Sequence, residues 1–357
     1  MPVSCKFRGR GRNTNTMHLI EIVRVDLSCV RRWAIAVALF LCLKSTASAQ
    51  ICLSAEDLDA GTRTALEAAA KRYFDLTAKG DVETLRQNAI PEVAGNFSGI
   101  EAAVKENHEN FSGAQATVRP PYVLQAEGKE PLARAEFLCG VFGKSGQTAH
   151  SAVFVIPNLP PGDYAVAILD VAGKTPATLS FVLKTLRSDW KLAGFNARPA
   201  RVAEHDGQWF WDRARAFKAK NQNRNAWLYY LEARDLMAPV PFMSTMATDR
   251  IYDEMEALQP AEFPAGGSPV DLVVSGKTYR LTHMFPVGAG GDVDLVVKYA
   301  AADVSNPNLT YQDNMALIKA LVAKYPELKE GFTAIIARAV EPSGKDYGTM
   351  LAVKEIK

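Results

Sequence analysis

The sequence lacks the residue patterns that carry most enzyme chemistry. Four of its five histidines, His108, His150, His205 and His283, stand far apart, and none has the H-E-x-x-H spacing of a zinc protease. No serine lies in a G-x-S-x-G turn, and no Gly-Lys-Ser/Thr follows the glycines of "VGAGGDVD" (Val287 to Asp294), which we interpret as a turn. The sequence therefore predicts no cofactor and no metal site.

Long apolar runs are also scarce. The segment "WAIAVALFLCL" (Trp33 to Leu43) has eleven residues, whereas a helix needs about 20 to cross a bilayer. Arg31 and Arg32 precede it and Ala47-Ser48-Ala49 follows it. A basic flank, a short apolar core and small residues are typical of a secretory signal, here cleaved before Gln50. We expect an exported protein, periplasmic or secreted, with no permanent membrane span.

Loss of residues 1–49 would change the charge of the protein. The chain has 41 Lys/Arg and 39 Asp/Glu; eight and two of these lie in residues 1–49, which leaves a net charge of −4. A mildly acidic chain with no basic run argues against nucleic-acid binding. The leader before Met17 is unusually basic for a signal peptide, so Met17 is an alternative start.

Only two cysteines, Cys52 and Cys139, follow the predicted cleavage site. In an oxidising compartment they are candidates for one disulfide that ties the N-terminal segment to a strand. Two buried free thiols are equally compatible with the sequence. A structural zinc site needs four ligands, which this pair does not supply.

The spacing of apolar residues changes along the chain and predicts an α+β fold. A helical pattern starts near Ser54, a potential N-cap, and alternating strands such as "ARAEFLCGVF" (Ala133 to Phe142) follow. We expect helices packed on a curved antiparallel sheet, then a helical hairpin, then a small α+β domain. The predicted boundaries are a signal peptide at 1–49, an α+β domain at 50–199, a hairpin at 208–258, a linker at 259–269 and a small domain at 270–357.

The first folded region resembles NTF2-like, cone-fold domains. The stretch "FDLTAKGDVETL" (Phe74 to Leu85) follows the long first helix, and "SDWKLAGFNARP" (Ser188 to Pro199) forms the last strand. The resemblance covers about residues 54–199. Relatives in this family include enzymes that hold an acid/base pair in a pocket lined by the sheet.

That resemblance makes Asp75, Glu136 and His150 the candidate catalytic residues. Each also has a structural interpretation. Asp75 lies on an amphipathic helix and can face water, and Glu136 can pair with Arg134 on the same strand. His150 fits a turn position.

The segment "FKAKNQNRNAWLYYLEARDLMAP" (Phe217 to Pro239) resembles one tetratricopeptide-like helical hairpin. Its small residues, Ala226 and Ala233, stand where helices approach closely. The aromatic residues around it either pack against an adjacent domain or anchor a partner in a groove. The candidate partner-binding residues are Trp209, Trp211, Trp227 and Tyr229.

These observations favour an exported, non-catalytic protein that binds a protein partner or an apolar small ligand. The alternative is a small-molecule enzyme, of isomerase or hydrolase type, that uses a pocket in the cone-fold domain.

Overall fold

The computed structural model describes residues 50–356, except the side chain of Ala289. The predicted signal peptide and Met17 lie outside the described residues. The described chain contains both helices and sheets and belongs to the α+β class. Within it, no helix is both long enough and apolar enough to cross a membrane.

The first part of the chain contains strand β1, four helices and seven further strands. Helix α1 begins after Asp59, whose side chain accepts a hydrogen bond from the Thr62 backbone N–H, and it ends at Gly80 in a left-handed conformation. Ser54 instead binds Asp57 in a turn ahead of the helix. The elements are β1 (Gln50–Leu53), α1 (Ala60–Lys79), α2 (Val82–Gln87), α3 (Pro91–Ala94), α4 (Ser98–Phe111), β2 (Gln115–Val118), β3 (Tyr122–Ala126), β4 (Leu132–Gly140), β5 (Ser151–Leu159), β6 (Gly162–Ala172), β7 (Ala177–Leu186) and β8 (Asp189–Pro199).

The central antiparallel sheet of this part has a hydrophobic core on each face. Its strand order is β1-β3-β6-β7-β8, and β2 also pairs with β6. Side chains of α1 and α4, such as Tyr73 and Phe111, pack on one face against Leu169 and Phe181. On the other face, Leu124 and neighbouring residues pack against β4 and β5. Successive side chains along a strand point to opposite faces of the sheet, so alternate residues of one strand belong to the two different cores.

The second part of the chain is built around a five-stranded sheet of order β10-β11-β12-β13-β14. Strands β12 and β13 are parallel and are joined through helix α8, whereas the other neighbours are antiparallel. The elements are α5 (Gly207–Ala219), α6 (Asn223–Met237), β9 (Met243–Thr245), α7 (Met246–Glu256), β10 (Val270–Val274), β11 (Lys277–Ala289), β12 (Asp292–Ala300), α8 (Pro307–Lys324), α9 (Leu328–Gly331), β13 (Ala334–Val340) and β14 (Asp346–Ala352), with a 3₁₀ turn at Val353–Glu355.

Helices α5 and α6 share one hydrophobic core with this second sheet. Phe263, in the predicted linker, belongs to the same core: its ring centroid lies 5.3 Å from that of Tyr325 and 6.4 Å from that of Trp227. The hairpin and the last segment therefore bury their apolar faces together.

A strap of residues 239–245 links the two parts. Val240 and Met243 are buried in the core beneath β4 and β5, and β9 pairs with β5 as the third strand of that small sheet. The carbonyl oxygen of Pro239 accepts hydrogen bonds from Ser180 and Asn196 on β7 and β8. The second part of the chain thus completes a sheet of the first.

A disulfide joins Cys52 on β1 to Cys139 on β4, with a Cα–Cα distance of 5.1 Å. Strand β1 is an edge of the central sheet and β4 is an edge of the small sheet. The bond therefore links the two sheets along one side. Cys139 is fully buried, which leaves the sulfur of this strand without contact with water.

Candidate functional site

A strained two-residue turn precedes α5. Val202 and His205 exchange backbone hydrogen bonds of 2.9 and 3.0 Å, and Ala203 and Glu204 between them have φ values of 50° and 63°. Left-handed backbone is unfavourable for residues with a side chain, and such turns normally contain Asn or Gly. Backbone strain of this kind concentrates at functional sites. The side chains that this turn positions are therefore candidates for a functional role.

The turn is held in place by a close backbone approach from β11. A Cβ atom on Gly288 would lie 2.4 Å from the backbone nitrogen of Ala203, so only glycine fits there. Ala203 is itself buried in the core of the second part. The surrounding structure therefore over-determines the strained conformation.

The turn places His205 on the indole of Trp209. The two ring centroids are 3.6 Å apart and the planes differ by 4°. The backbone N–H of Trp209 donates to the carboxylate of Asp206, the N-cap of α5, at 2.9 Å, which fixes the first turn of the helix. Both rings are half-buried, so the stack forms part of a surface that a ligand can reach.

The stack forms one side of an open cavity of about 640 Å³. The rings of Tyr229 and Phe332, with centroids 5.7 Å apart, line its floor. The Tyr229 hydroxyl donates to the carbonyl oxygen of Gly331, and burial raises the pKa of Tyr229 to about 12. Tyr229 therefore presents no ionisable hydroxyl to the cavity and, at 3% exposure, only a small area of its ring.

Charged side chains line the rest of this cavity. Arg213, Lys329 and Lys354 contribute positive charge, and Asp292 and Glu330 contribute negative charge. Glu330 is in an ion pair with Lys220 at 3.2 Å, and hydrogen bonds from Gln222 and Lys220 lower its pKa. The cations exceed the carboxylates among the lining residues, and one of the two carboxylates already has a partner.

Three of the four aromatic residues predicted to bind a partner are buried inside the chain. Trp211, Trp227 and Tyr229 are 7%, 3% and 3% exposed. They pack within the core that the hairpin shares with the second sheet. Tyr229 lines the cavity from within this core, whereas Trp209 is half-buried and is accessible at the cavity surface.

Trp211 contributes to a polar cluster around Glu254 of α7. The Glu254 carboxylate accepts hydrogen bonds from Trp211 Nε1 at 3.1 Å, Arg215 Nε at 2.8 Å and the Tyr230 hydroxyl at 2.9 Å. These donors, Arg215 first, lower the pKa of Glu254 to about 2. With its oxygens bound by side chains of α5 and α6, Glu254 holds three helices together and is not available for proton transfer.

Glu232 on α6 has the opposite shift. Burial, together with the negative charge of Asp235, raises the pKa of Glu232 to about 8. Asp235 pairs with Arg198 of β8 at the junction between α6 and the central sheet. Glu232 lines neither the cavity beside His205 and Trp209 nor the one beside His150, and its shift reflects burial at a helix–sheet junction.

The structure places the three candidate catalytic residues in different surroundings. Asp75 is exposed on α1, on the helical side of the central sheet. Glu136 is exposed on β4 and lies 3.6 Å from Arg134. His150 is exposed at the start of β5, where it lines a second cavity of about 750 Å³.

The second cavity combines His150 with several polar side chains. Tyr122, Ser151 and Thr148 contribute hydroxyl groups and Asp57 contributes a carboxylate. Asp57 is bound by the hydroxyl of Ser54 at 2.6 Å, and hydrogen bonds from Ser54 lower its pKa. In residues 50–356, no group of three or more His, Cys, Asp or Glu side chains is placed to hold a metal ion.

No family model, curated protein or solved structure matches this chain.

Sequence reasoning missed the charged residues of the first cavity. Arg213, Asp292 and Lys354 come from three distant segments and share no motif. The glycine-rich stretch Val287 to Asp294 was the sequence feature closest to this cavity. Its Gly290 and Gly291 form the turn between β11 and β12, with φ values of 59° and 93°, and Gly291 lines the cavity.

Proposed function

We propose that this chain is an exported, non-catalytic binding protein whose ligand occupies the cavity beside His205 and Trp209. One observation carries the proposal: the stacked rings of His205 and Trp209 line a single open cavity together with three cationic residues, Arg213, Lys329 and Lys354. Small-molecule sites are typically concave, with aromatic walls and a few charged groups that fix the orientation of the ligand.

We also propose a family resemblance for each of two regions of the fold. Residues 50–199 are proposed as an NTF2-like domain, supported by the packing of α1 and α4 on one face of a long antiparallel sheet. Helices α5 and α6 are proposed as a tetratricopeptide-like hairpin. Its support is that the small residues Ala214, Ala226 and Ala233 are fully buried where the helices meet.

The lining of the cavity supports binding rather than catalysis. Nucleophilic catalysis needs a nucleophile within hydrogen-bonding distance of a base. Among the side-chain hydrogen bonds of residues 50–356, none joins His205 to a serine, threonine or cysteine. The Lys329 ammonium donates to the carbonyl oxygen of Ile356 at 2.9 Å, which gives this lysine a structural partner.

The experiment is native mass spectrometry of the full chain after expression with its own leader and purification from the exported fraction. We expect a polypeptide that begins at Gln50 and carries a bound small molecule. Trp209→Ala should lose that molecule, whereas the matched control Glu136→Ala, on the exposed face of β4, should keep it. Retention by Trp209→Ala, or a wild-type protein that neither carries a ligand nor is stabilised by any compound of a metabolite panel, contradicts the proposal.

An enzyme in the first part of the chain is the second candidate. The observation in its favour is His150, which lines the larger cavity with the hydroxyls of Tyr122 and Ser151. For this function, His150→Ala should abolish turnover of a compound that the wild-type protein converts, and the thermal stability should be unchanged. An unaltered rate in this variant rejects His150 as the acid or base.

A further inference from the structure

The cavity beside His205 and Trp209 has a charge opposite to that of the chain around it. The predicted mature chain carries a net charge of −4, yet among residues 50–356 three cations and two carboxylates line the cavity. Lys220, outside this lining, pairs with Glu330 at 3.2 Å and offsets the charge of that carboxylate. A cationic cleft in an acidic protein concentrates anions locally.

Among these cations, Arg213 packs on an aromatic side chain. Its guanidinium lies over the ring of Phe217, 4.8 Å from the centroid, and it is exposed on the side of α5 that faces the cavity. Its positive charge partly offsets the rise that burial causes in the pKa of Tyr229. A guanidinium fixed in this way can bind a carboxylate through two parallel hydrogen bonds.

The walls of the same cavity consist of flat rings. Trp209 lies 6.1 Å from Tyr229, and Tyr229 lies 5.7 Å from Phe332, measured between ring centroids. Because the Tyr229 hydroxyl is bound by Gly331, Tyr229 and Phe332 present only ring carbon to the cavity, over the small area that their 3% and 4% exposure leaves. The indole N–H of Trp209 is the one remaining polar group among the three rings. Offset or edge-on contact with such rings favours a planar apolar ligand.

We infer that the cavity binds an organic anion in which a planar aromatic ring carries a carboxylate. The ring packs against Trp209 and the aromatic floor, and the carboxylate lies between Arg213 and Lys354. This inference rests on the proposed binding function and narrows it to one ligand class. Asp292, at the turn between β11 and β12, disfavours ligands with a second negative charge at that end.

Isothermal titration calorimetry with three matched probes tests the inference on the full exported protein. The probes are 2-naphthoate, its uncharged amide 2-naphthamide, and saturated decahydro-2-naphthoate, which keeps the charge and loses planarity. We expect 2-naphthoate to bind at least ten times more tightly than either of the others. We also expect its affinity to fall as sodium chloride is raised, because screening weakens exposed ionic contacts.

Variants then assign the contacts. Arg213→Gln combined with Lys354→Gln should weaken 2-naphthoate at least tenfold and leave 2-naphthamide within twofold. Trp209→Leu should weaken both aromatic probes. Lys129→Gln/Lys144→Gln, in the exposed loops on either side of β4, is the charge-matched control and should change neither. Equal circular dichroism spectra and melting temperatures establish that each variant is folded.

Three outcomes overturn the inference: equal affinity for acid and amide, equal affinity for planar and saturated acids, or full affinity in the Arg213→Gln/Lys354→Gln variant. Failure here is separable from failure of the proposed function. If none of the probes binds while a Trp209-dependent ligand is retained in native mass spectrometry, the cavity binds another chemical class. If that retained ligand is also absent, the binding function fails as well.

Discussion

Ala203 and Glu204 occupy left-handed backbone that is ordinarily left to glycine or asparagine. The two residues differ in surroundings, because Ala203 is buried against β11 whereas Glu204 is exposed. Glu204 can therefore be changed without disturbing the core. A substitution at Glu204 therefore reports on the strain of its backbone conformation.

Glu204→Gly should stabilise the protein by about 0.5–1 kcal/mol. Glycine adopts positive φ without the cost of about 1–2 kcal/mol that a side chain carries, and part of this gain is offset by the greater freedom of glycine in the unfolded chain. Urea unfolding at pH 7 measures the difference. Glu130→Gly, at an exposed loop position, is the control and should give no gain. A less stable Glu204→Gly variant would show that the turn is not strained.

The contribution of Glu254 to the free energy of unfolding should depend on pH. Its pKa is about 2 in the folded protein, below the ordinary value near 4.3, so it contributes stability that is present above about pH 4.5 and is lost as the pH falls towards 2. We expect the wild type to lose about 2 kcal/mol more than Glu254→Gln over this interval. Parallel pH profiles of the free energy of unfolding for the two proteins would contradict this prediction.

At the scale of elements, apolar spacing predicted helices and strands well but not where they begin. Ser54 was predicted as an N-cap, and the structure uses Asp59, because Ser54 and Asp57 close a turn of their own. Serine and aspartate both cap helices and both form turns. The choice between them depends on where β1 ends, and β1 is positioned by pairing with β3, a contact that local sequence does not encode.

The disulfide between β1 and β4 is the main element-scale constraint. It closes a loop with a sequence separation of 87, for which the chain-entropy account gives about 4 kcal/mol of stabilisation. We expect a reducing agent to lower the free energy of unfolding by roughly this amount in the wild type. The double variant Cys52→Ala/Cys139→Ala should be insensitive to the same agent. A wild type that is equally stable with and without reductant would contradict the prediction.

At the scale of the molecule, Val240 and Met243 lie in a core that belongs otherwise to the first part of the chain. A fragment of residues 50–200 would lack these side chains and the third strand of the small sheet. We expect it to be degraded by protease at a concentration that leaves residues 50–356 intact. A fragment that resists protease equally well would show that the strap is dispensable.

The candidate site also belongs to the scale of the whole molecule. Trp209 was singled out from the sequence, because aromatic residues near a hairpin are visible as a cluster. Arg213, Asp292 and Lys354 were not, because only the fold brings α5, the turn after β11 and the last 3₁₀ turn to one cavity. The lack of a catalytic motif beside a repeat-like hairpin favoured a binding protein, whereas the position and charge of the cavity required the tertiary structure.

The position of the strap, residues 239–245, in the chain also affects the order in which the small sheet forms during synthesis. A ribosome or translocation channel releases the chain from its N-terminal end, so β4 and β5 emerge long before Met243–Thr245. Until then, β5 presents an unpaired edge to other chains, which is a recognised route to aggregation. Cys52 and Cys139 have both emerged by that stage, so the covalent bond between them can restrain the incomplete sheet while it waits for its last strand.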